Sequence, residues 1–494
     1  MIEPAKKLFV PLFPFILLSC WLLFELSFLK ADPYSTLNSR DAWTDEGLYS
    51  APLRNLVNHH YYNVTESDSL VKTPLFGFTL IPFFLLLGTH LWVSRLFVLL
   101  FTALVIFIFL KDKFLHRFGL LMLLLCFTQY HIFQYSHYGL AEMYCIDFIL
   151  LSLFFLYRWG IGKAPNASLF LSVMFSSFCW YAKIQFAYIV WIVPGVVFFC
   201  TVKDYFETTR LQYKALLLTL LYIIIFALIY YRMWYIPNHR FFDYVMLIQG
   251  KDRFDVFSQI FDRIKYTFNL EVWVSTVKHY VYTLVFSLVG LLYLLIRKRG
   301  KHTGWLKDDR GSFVLFLFVF CWFLTELHKL YLISPPTRYL LAFFFSGAML
   351  ITVSLFMLEQ SGKLAKALVS VFIFIILAVN LHYDVSAYKK RTYAIAAVNE
   401  YVARCNFGKH PAIGAWAPTV AWEAKAKTLP VWKDYMNYIA PVKTFHPRLV
   451  VSEANEEDSN NAYSSQGINL KEISDSSRTF RIFNYDLVLY WMNY

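Results

Sequence analysis

Long apolar runs separated by short polar segments dominate this chain. Many runs reach about twenty residues, enough for an α-helix to cross the hydrocarbon core of a bilayer. They are continuous rather than alternating, which argues against a β-barrel. The pattern predicts spans at about 8–29, 91–110, 118–135, 141–157, 167–182, 185–201, 214–234, 280–296, 313–327, 339–358 and 365–382. Residues 74–87 are apolar but too few to span comfortably, and they read as an interfacial or re-entrant helix.

Charge fixes the expected orientation. Lys6 and Lys7 favour a cytoplasmic start, and the run that follows has no small-residue cleavage site, so it reads as a retained first span. An outer loop, 31–75, comes next. If 74–87 were a full span, the loop KDKFLHR (111–117) would lie outside, against the positive-inside rule. With 74–87 set at the interface, every short basic loop falls on the cytoplasmic side, including RKRGKH (297–302).

Residues 383–494 change character. Strand-like pieces appear at AIGAWA (412–417), RLVVSE (448–453) and FRIFNYDLVLYW (480–491), with a helical pattern over roughly 391–405. The expected architecture is an all-α polytopic membrane protein of about eleven transmembrane helices, residues 1–382. A small soluble α/β domain, 383–494, follows it on the outer side.

Composition agrees. Of 494 residues, 58% are hydrophobic and only 16% charged, too little charge for a soluble chain of this length. The net charge of +13 is accounted for by cytoplasmic loops and anionic lipid headgroups rather than by nucleic acid. There is no CxxC pair and no glycine-rich phosphate loop.

The candidate chemistry lies at the outer ends of the spans, where ionisable groups are expensive and so become functional candidates. WTDEGLYS (43–50) carries Asp45 and Glu46. Neighbours on a helix diverge, so the two carboxylates should have different partners, one a general base and the other an orienting group or a cation ligand. Glu142 opens the span after SHYGLA, as a second carboxylate or a snorkelling end group. Asp147, deeper in that span, reads as a buried polar contact. Four cations stand at outer ends where the positive-inside rule gives them no reason to be: Lys72, Arg95, Lys183 and Arg338. Each alone is an interface anchor. Together they suit an anionic lipid phosphate drawn towards a carboxylate base. Asn63-Val64-Thr65 is a glycosylation sequon, relevant only in a eukaryotic secretory membrane.

These segments, in order, are WTDEGLYS (43–50), VKTPLFG (71–77), VSRLF (93–97), AEMYCIDFILLSLFFLYR (141–158), YAKIQF (181–186) and PPTRYLL (335–341). With them the chain resembles the polytopic glycosyltransferases of the GT-C fold that use polyprenyl-phosphate sugars. It looks most like the group of protein O-mannosyltransferase-like enzymes and lipid A aminoarabinose transferases. The resemblance implies a dolichyl- or undecaprenyl-phosphate sugar donor, a hydroxyl acceptor on a lipid, glycan or protein, and transfer at the outer face. It implies Asp45 as base with Glu46 beside it, Glu142 as second acid, and Lys72, Lys183, Arg338 and Arg95 on the donor phosphate. Two positions depart from the group's pattern. Leu48 stands where many relatives have Arg, and Val71 where the aminoarabinose transferases have an acid. The second departure weakens any inference of a bound metal, though a divalent cation stays open as cofactor.

The competing readings are a flippase for a lipid-linked sugar and a non-catalytic scaffold of a glycan assembly complex. Transporters show paired repeats and midplane sites. No repeat is evident here, and the charges concentrate at one face. The expected location is a bacterial inner membrane, or the endoplasmic reticulum membrane in a eukaryote.

Overall fold

The computed structural model describes residues 3–33, 41–61, 63, 73–209, 213–242, 310–331, 337–359, 362–434, 436–454 and 457–493. The expected span 280–296, the basic loop 297–302 and Lys72 lie outside the described residues. The helices, in chain order, are α1 (Glu3–Leu26), α2 (Asp41–His59), α3 (Pro74–Leu87), α4 (Leu91–Lys111), α5 (His116–Leu125), α6 (Tyr130–Ser136) and α7 (Ala141–Gly160). They continue with α8 (Pro165–Ala182), α9 (Ile192–Thr208), α10 (Lys214–Tyr230), α11 (Arg310–Glu326), α12 (Thr337–Glu359), α13 (Lys363–Lys389) and α14 (Ala394–Ala403). Among the described residues seven helices are long and apolar enough to cross a membrane, or eight if one bent pair is a single span. The chain is a multi-pass membrane protein.

Burial separates the helices by role. α7 and α12 are the most enclosed and form the centre of the bundle. On α10, Leu217, Leu221, Ile224 and Leu228 stand exposed at helical spacing, a stripe suited to lipid. Leu364, Leu368, Val371 and Phe374 do the same for α13.

Three departures from a simple bundle shape one end of it. The expected span 118–135 is broken: α5 and α6 meet at a bend of 99°. Polar groups end one helix and begin the other there. Thr128 Oγ1 donates to the Leu124 carbonyl, and Gln129 accepts the Ile132 N–H as an N-cap at 3.0 Å. A second break follows α8, where Lys183 is extended (φ −159°, ψ 118°) before a 3₁₀ turn, Ile184–Trp191. Third, α3 is a separate fourteen-residue apolar helix with Pro74 at its start, where a missing N–H costs nothing.

Among the described residues, basic side chains of the loops gather at the other end. Arg117 pairs with Glu359 at 2.6 Å, Arg310 with Asp204 at 3.2 Å, and Arg310 lies over Trp159. This common end is what the positive-inside reading requires.

After α14 comes a five-stranded sheet of order β2-β1-β3-β5-β4: β1 (Ala412–Ile413), β2 (Thr428–Leu429), β3 (Leu449–Glu453), β4 (Ser476–Ile482) and β5 (Tyr485–Trp491). β2, β1 and β3 are parallel, while β3, β5 and β4 are antiparallel. Of the strand-like pieces, AIGAWA is strand only at its first two residues, because Gly414, at φ +129° and packed on the Val451 carbonyl, turns the chain. Alternation then divides the sheet. Leu449, Val451, Leu487 and Leu489 face one continuous core shared with the bundle, while Val450, Val488 and Tyr490 face a smaller outer cluster. α13 runs through residue 382, the expected domain boundary, to Lys389.

Candidate active site

α2 carries the acidic pair and is clamped between the sheet and the bundle. Trp43 stacks on Phe483, with ring centroids 5.7 Å apart, in the β4–β5 turn. One turn on, Gly47 lies so close to the turn at 418–419 that an added Cβ would sit 2.4 Å from Thr419 Oγ1 and 2.5 Å from the Pro418 carbonyl carbon. Further along, the Arg54 guanidinium donates to the carbonyls of Trp422, Ala424 and Ala426. Asn55 pairs with the Thr428 backbone in both directions, as a strand edge would. Positions 43, 47 and 54 share one helix face.

The two acids of WTDEGLYS turn away from each other by about 100°, as adjacent helical residues must. Glu46 is fully buried and forms a two-pronged pair with Arg95 of α4, at 2.8 and 2.5 Å. It also accepts the Gly139 N–H at 2.7 Å, which is reachable because a Cβ on Gly139 would collide with Ser94. The remaining Arg95 nitrogen donates to the Leu29 and Ala31 carbonyls. Every nitrogen of this guanidinium is therefore engaged in holding α2 to α4 and to the end of α1.

Asp45 points the other way. It is in direct ion-pair contact with Arg338 at the start of α12. The Arg338 Nε also lies 3.9 Å from Glu142 Oε1. Glu142 in turn pairs with Lys183, whose ammonium donates to the Tyr49 hydroxyl at 2.9 Å. Tyr49 is one turn after Asp45 on the same face of α2. The result is a chain of charges, Asp45–Arg338–Glu142–Lys183, drawn from four segments that are distant in sequence.

Local structure explains the placement. Glu142 sits in the first turn of α7, where the helix dipole favours a carboxylate. Lys183 follows the end of α8, where the dipole favours a cation. Arg338 is in the first turn of α12, which the dipole opposes, so its carboxylate partners supply the compensation. One oxygen of Glu142, Oε2, is buried with no hydrogen-bond partner and remains an acceptor for a hydroxyl.

The sequence reading missed a neighbouring cluster. Glu326, at the end of α11, accepts from Tyr188 and from Trp322 Nε1 and pairs with Lys329 at 2.6 Å. The Lys329 ammonium lies over the ring of Phe186, three residues after Lys183. TELHKLY (325–331) carries the signal that would have found it, a cation at the outer end of a span, as at Arg338. Asp147 is a buried polar contact, accepting from Thr102 at 2.7 Å. Among the described residues no three His, Cys, Asp or Glu side chains gather as a metal site.

An apolar helical bundle with this charge chain at one end, a short apolar helix beside it and a small sheet over it has the GT-C fold. Among solved structures the chain is similar to the lipid A aminoarabinose transferase ArnT from Cupriavidus metallidurans bound to undecaprenyl phosphate. That likeness has a TM-score of 0.55 and 12% identity, over 99% of this chain and 98% of that one. It is also similar to the Archaeoglobus fulgidus oligosaccharyltransferase in complex with zinc and sulfate, with a TM-score of 0.51 and 11% identity, over 88% of this chain and 68% of that one. At such identities the likeness is one of fold. No protein-family model and no curated protein sequence matches.

Proposed function

We propose that this chain is an integral-membrane glycosyltransferase that moves a sugar from a polyprenyl-phosphate donor to a hydroxyl on a lipid, glycan or protein at the outer membrane face. The observation that carries the reading is the buried chain Asp45–Arg338–Glu142–Lys183 at one end of a GT-C bundle. It sets two carboxylates against two cations, the set needed to deprotonate an acceptor and receive a leaving phosphate. The undecaprenyl phosphate bound to ArnT supports the donor class.

In this mechanism the acceptor oxygen attacks the anomeric carbon of the donor and its proton passes to Asp45. The bond from that carbon to the phosphate oxygen breaks, and its electron pair leaves with the polyprenyl phosphate. Arg338 and Lys183 take up the charge that develops on the phosphate. The phosphate is already a good leaving group, so no acid is needed on it. Glu142 orients both cations, and its free oxygen accepts a hydroxyl of the sugar or of the acceptor. Glu46 and Arg95 act as positioning residues: they fix the rotation of α2 that aims Asp45 at Arg338. Lys72 joins the phosphate site in this proposal on the strength of the family resemblance. Residues 383–494 form the extracytoplasmic part, and a bacterial plasma membrane is the proposed setting.

The test is sugar transfer in membranes from cells that carry the gene. Asp45→Asn should abolish transfer while leaving expression and detergent elution unchanged. Full transfer by that variant removes Asp45 from the mechanism.

A further inference from the structure

Three cations around Glu142 and Glu326 each already have a carboxylate. Arg338 is held by Asp45, Lys183 by Glu142, and Lys329 by Glu326. The pairs are buried: Asp45 is 6% exposed, Glu142 1% and Glu326 0%. Among these three cations an anion gains a strong partner by taking one from its carboxylate.

Arg338 is the cation set for that exchange. Its side chain is the most accessible of the three, 15% against 4% for Lys183 and 11% for Lys329. It sits where the dipole of α12 opposes a positive charge, so it depends on its anionic partners. It also has a second carboxylate, Glu142, at 3.9 Å to keep it in place when the first is released. Lys183 is locked more tightly, between Glu142, the Tyr49 hydroxyl and the ring of Tyr49.

We propose that Asp45 and the donor phosphate compete for Arg338, so that the base is masked in the empty protein and released by donor binding. This rests on the glycosyltransferase reading and adds to it an order of events. A carboxylate held against a guanidinium is a poor base, because the cation stabilises its negative charge. When the phosphate takes the guanidinium, the carboxylate is set free beside the bound donor. The donor binds first, and water reaching an empty site finds no active base. The acceptor then meets Asp45 only when a donor is present to react with it.

The inference reverses the usual expectation for a catalytic residue. Removing the Asp45 charge should tighten phosphate binding, since the competitor is gone. Purified full-length protein in nanodiscs is titrated with undecaprenyl phosphate, and with undecaprenol as the uncharged control. Asp45→Asn should bind undecaprenyl phosphate at least about tenfold tighter than wild type, the worth of one charge-assisted hydrogen bond. Arg338→Gln should bind more weakly than wild type. In the double variant the gain from Asp45→Asn should vanish, because there is nothing left to compete for. Asp45→Ser repeats the neutralisation should the Asn variant misfold, judged by gel filtration. Wild-type binding with no gain on neutralising Asp45, or the same gain without Arg338, overturns the competition alone. Equal affinity of wild type for undecaprenyl phosphate and undecaprenol overturns the donor assignment, and the competition with it.

Discussion

Gly47 offers a prediction whose sign is decided by two opposing magnitudes. In an open helix interior, Gly→Ala stabilises by about 1 kcal/mol, because alanine loses less backbone entropy. At Gly47 the added methyl would lie 2.4 Å from Thr419 Oγ1, 2.5 Å from the Pro418 carbonyl carbon and 2.5 Å from the Thr419 nitrogen. Overpacking of this kind costs about 1–3 kcal/mol, and the upper part of that range applies where backbone must move. The steric cost should win, leaving Gly47→Ala less stable by about 1–2 kcal/mol after the helix gain is subtracted. A large chain shifts its melting midpoint by only about 2 °C per kcal/mol. The more sensitive assay is therefore the half-life of the folded protein in detergent at fixed temperature, with hydrogen exchange across 417–428 as the local readout. A second variant separates backbone from side-chain blame. Thr419→Ala deletes only one of the three obstructing atoms, so Gly47→Ala/Thr419→Ala should recover little. An unchanged or longer half-life for Gly47→Ala, or full recovery in the double variant, would refute the close approach of α2 to the 418–419 turn.

Three further outcomes follow from the same contacts. Arg54→Ala should orphan the carbonyls of Trp422, Ala424 and Ala426 and speed hydrogen exchange over 422–428, at a cost of about 3 kcal/mol or more from unsatisfied buried acceptors. His59 is half-buried, and burial together with the nearby Arg54 charge lowers its pKa below the usual histidine value of 6.5. The unfolded chain therefore binds more protons than the folded one just below that pH, so stability should fall as the pH drops through 6.5 towards 5. Thermal scans across that range should show the fall in wild type and a smaller one in His59→Gln. Lys329→Met should destabilise by about 3–5 kcal/mol by leaving the Glu326 carboxylate buried and uncompensated, while Lys329→Met/Glu326→Gln should recover most of the loss.

Spans were legible where one physical rule sufficed. A run of twenty apolar residues can only be a buried or lipid-facing helix, so α4, α7, α12 and α13 lie close to their expected ranges. α3 was legible as a separate short helix, since 74–87 is apolar but too short for a comfortable span. The turn at Lys183 was legible, as the gap between the expected spans 167–182 and 185–201, but the break at Thr128-Gln129, inside the expected span 118–135, was not. The polar residues at that break compete for backbone bonds, and a hydropathy window averages over them. α2 was hidden for another reason. It has no single apolar face, because the sheet packs on one side of it and the charged end of the bundle on the other. The site was legible as a set of misplaced charges, which drew attention to Asp45, Glu142, Lys183 and Arg338. Their pairing was not, since it joins residues up to 293 positions apart in the chain, from Asp45 to Arg338. Nothing in WTDEGLYS itself distinguishes the acid that meets Arg338 from the acid that meets Arg95. The register of α2 decides it, and Gly47 and Arg54 set that register.

The most direct measurement of the central claim is mass spectrometry of surface glycans, glycolipids and glycoproteins from cells with the gene intact, deleted, or carrying Asp45→Asn. A transferase built on Asp45 predicts the same loss of one sugar mass from one carrier in the deletion and in Asp45→Asn, with the variant protein present at normal level. Carriers of wild-type mass in cells that express only Asp45→Asn would contradict it.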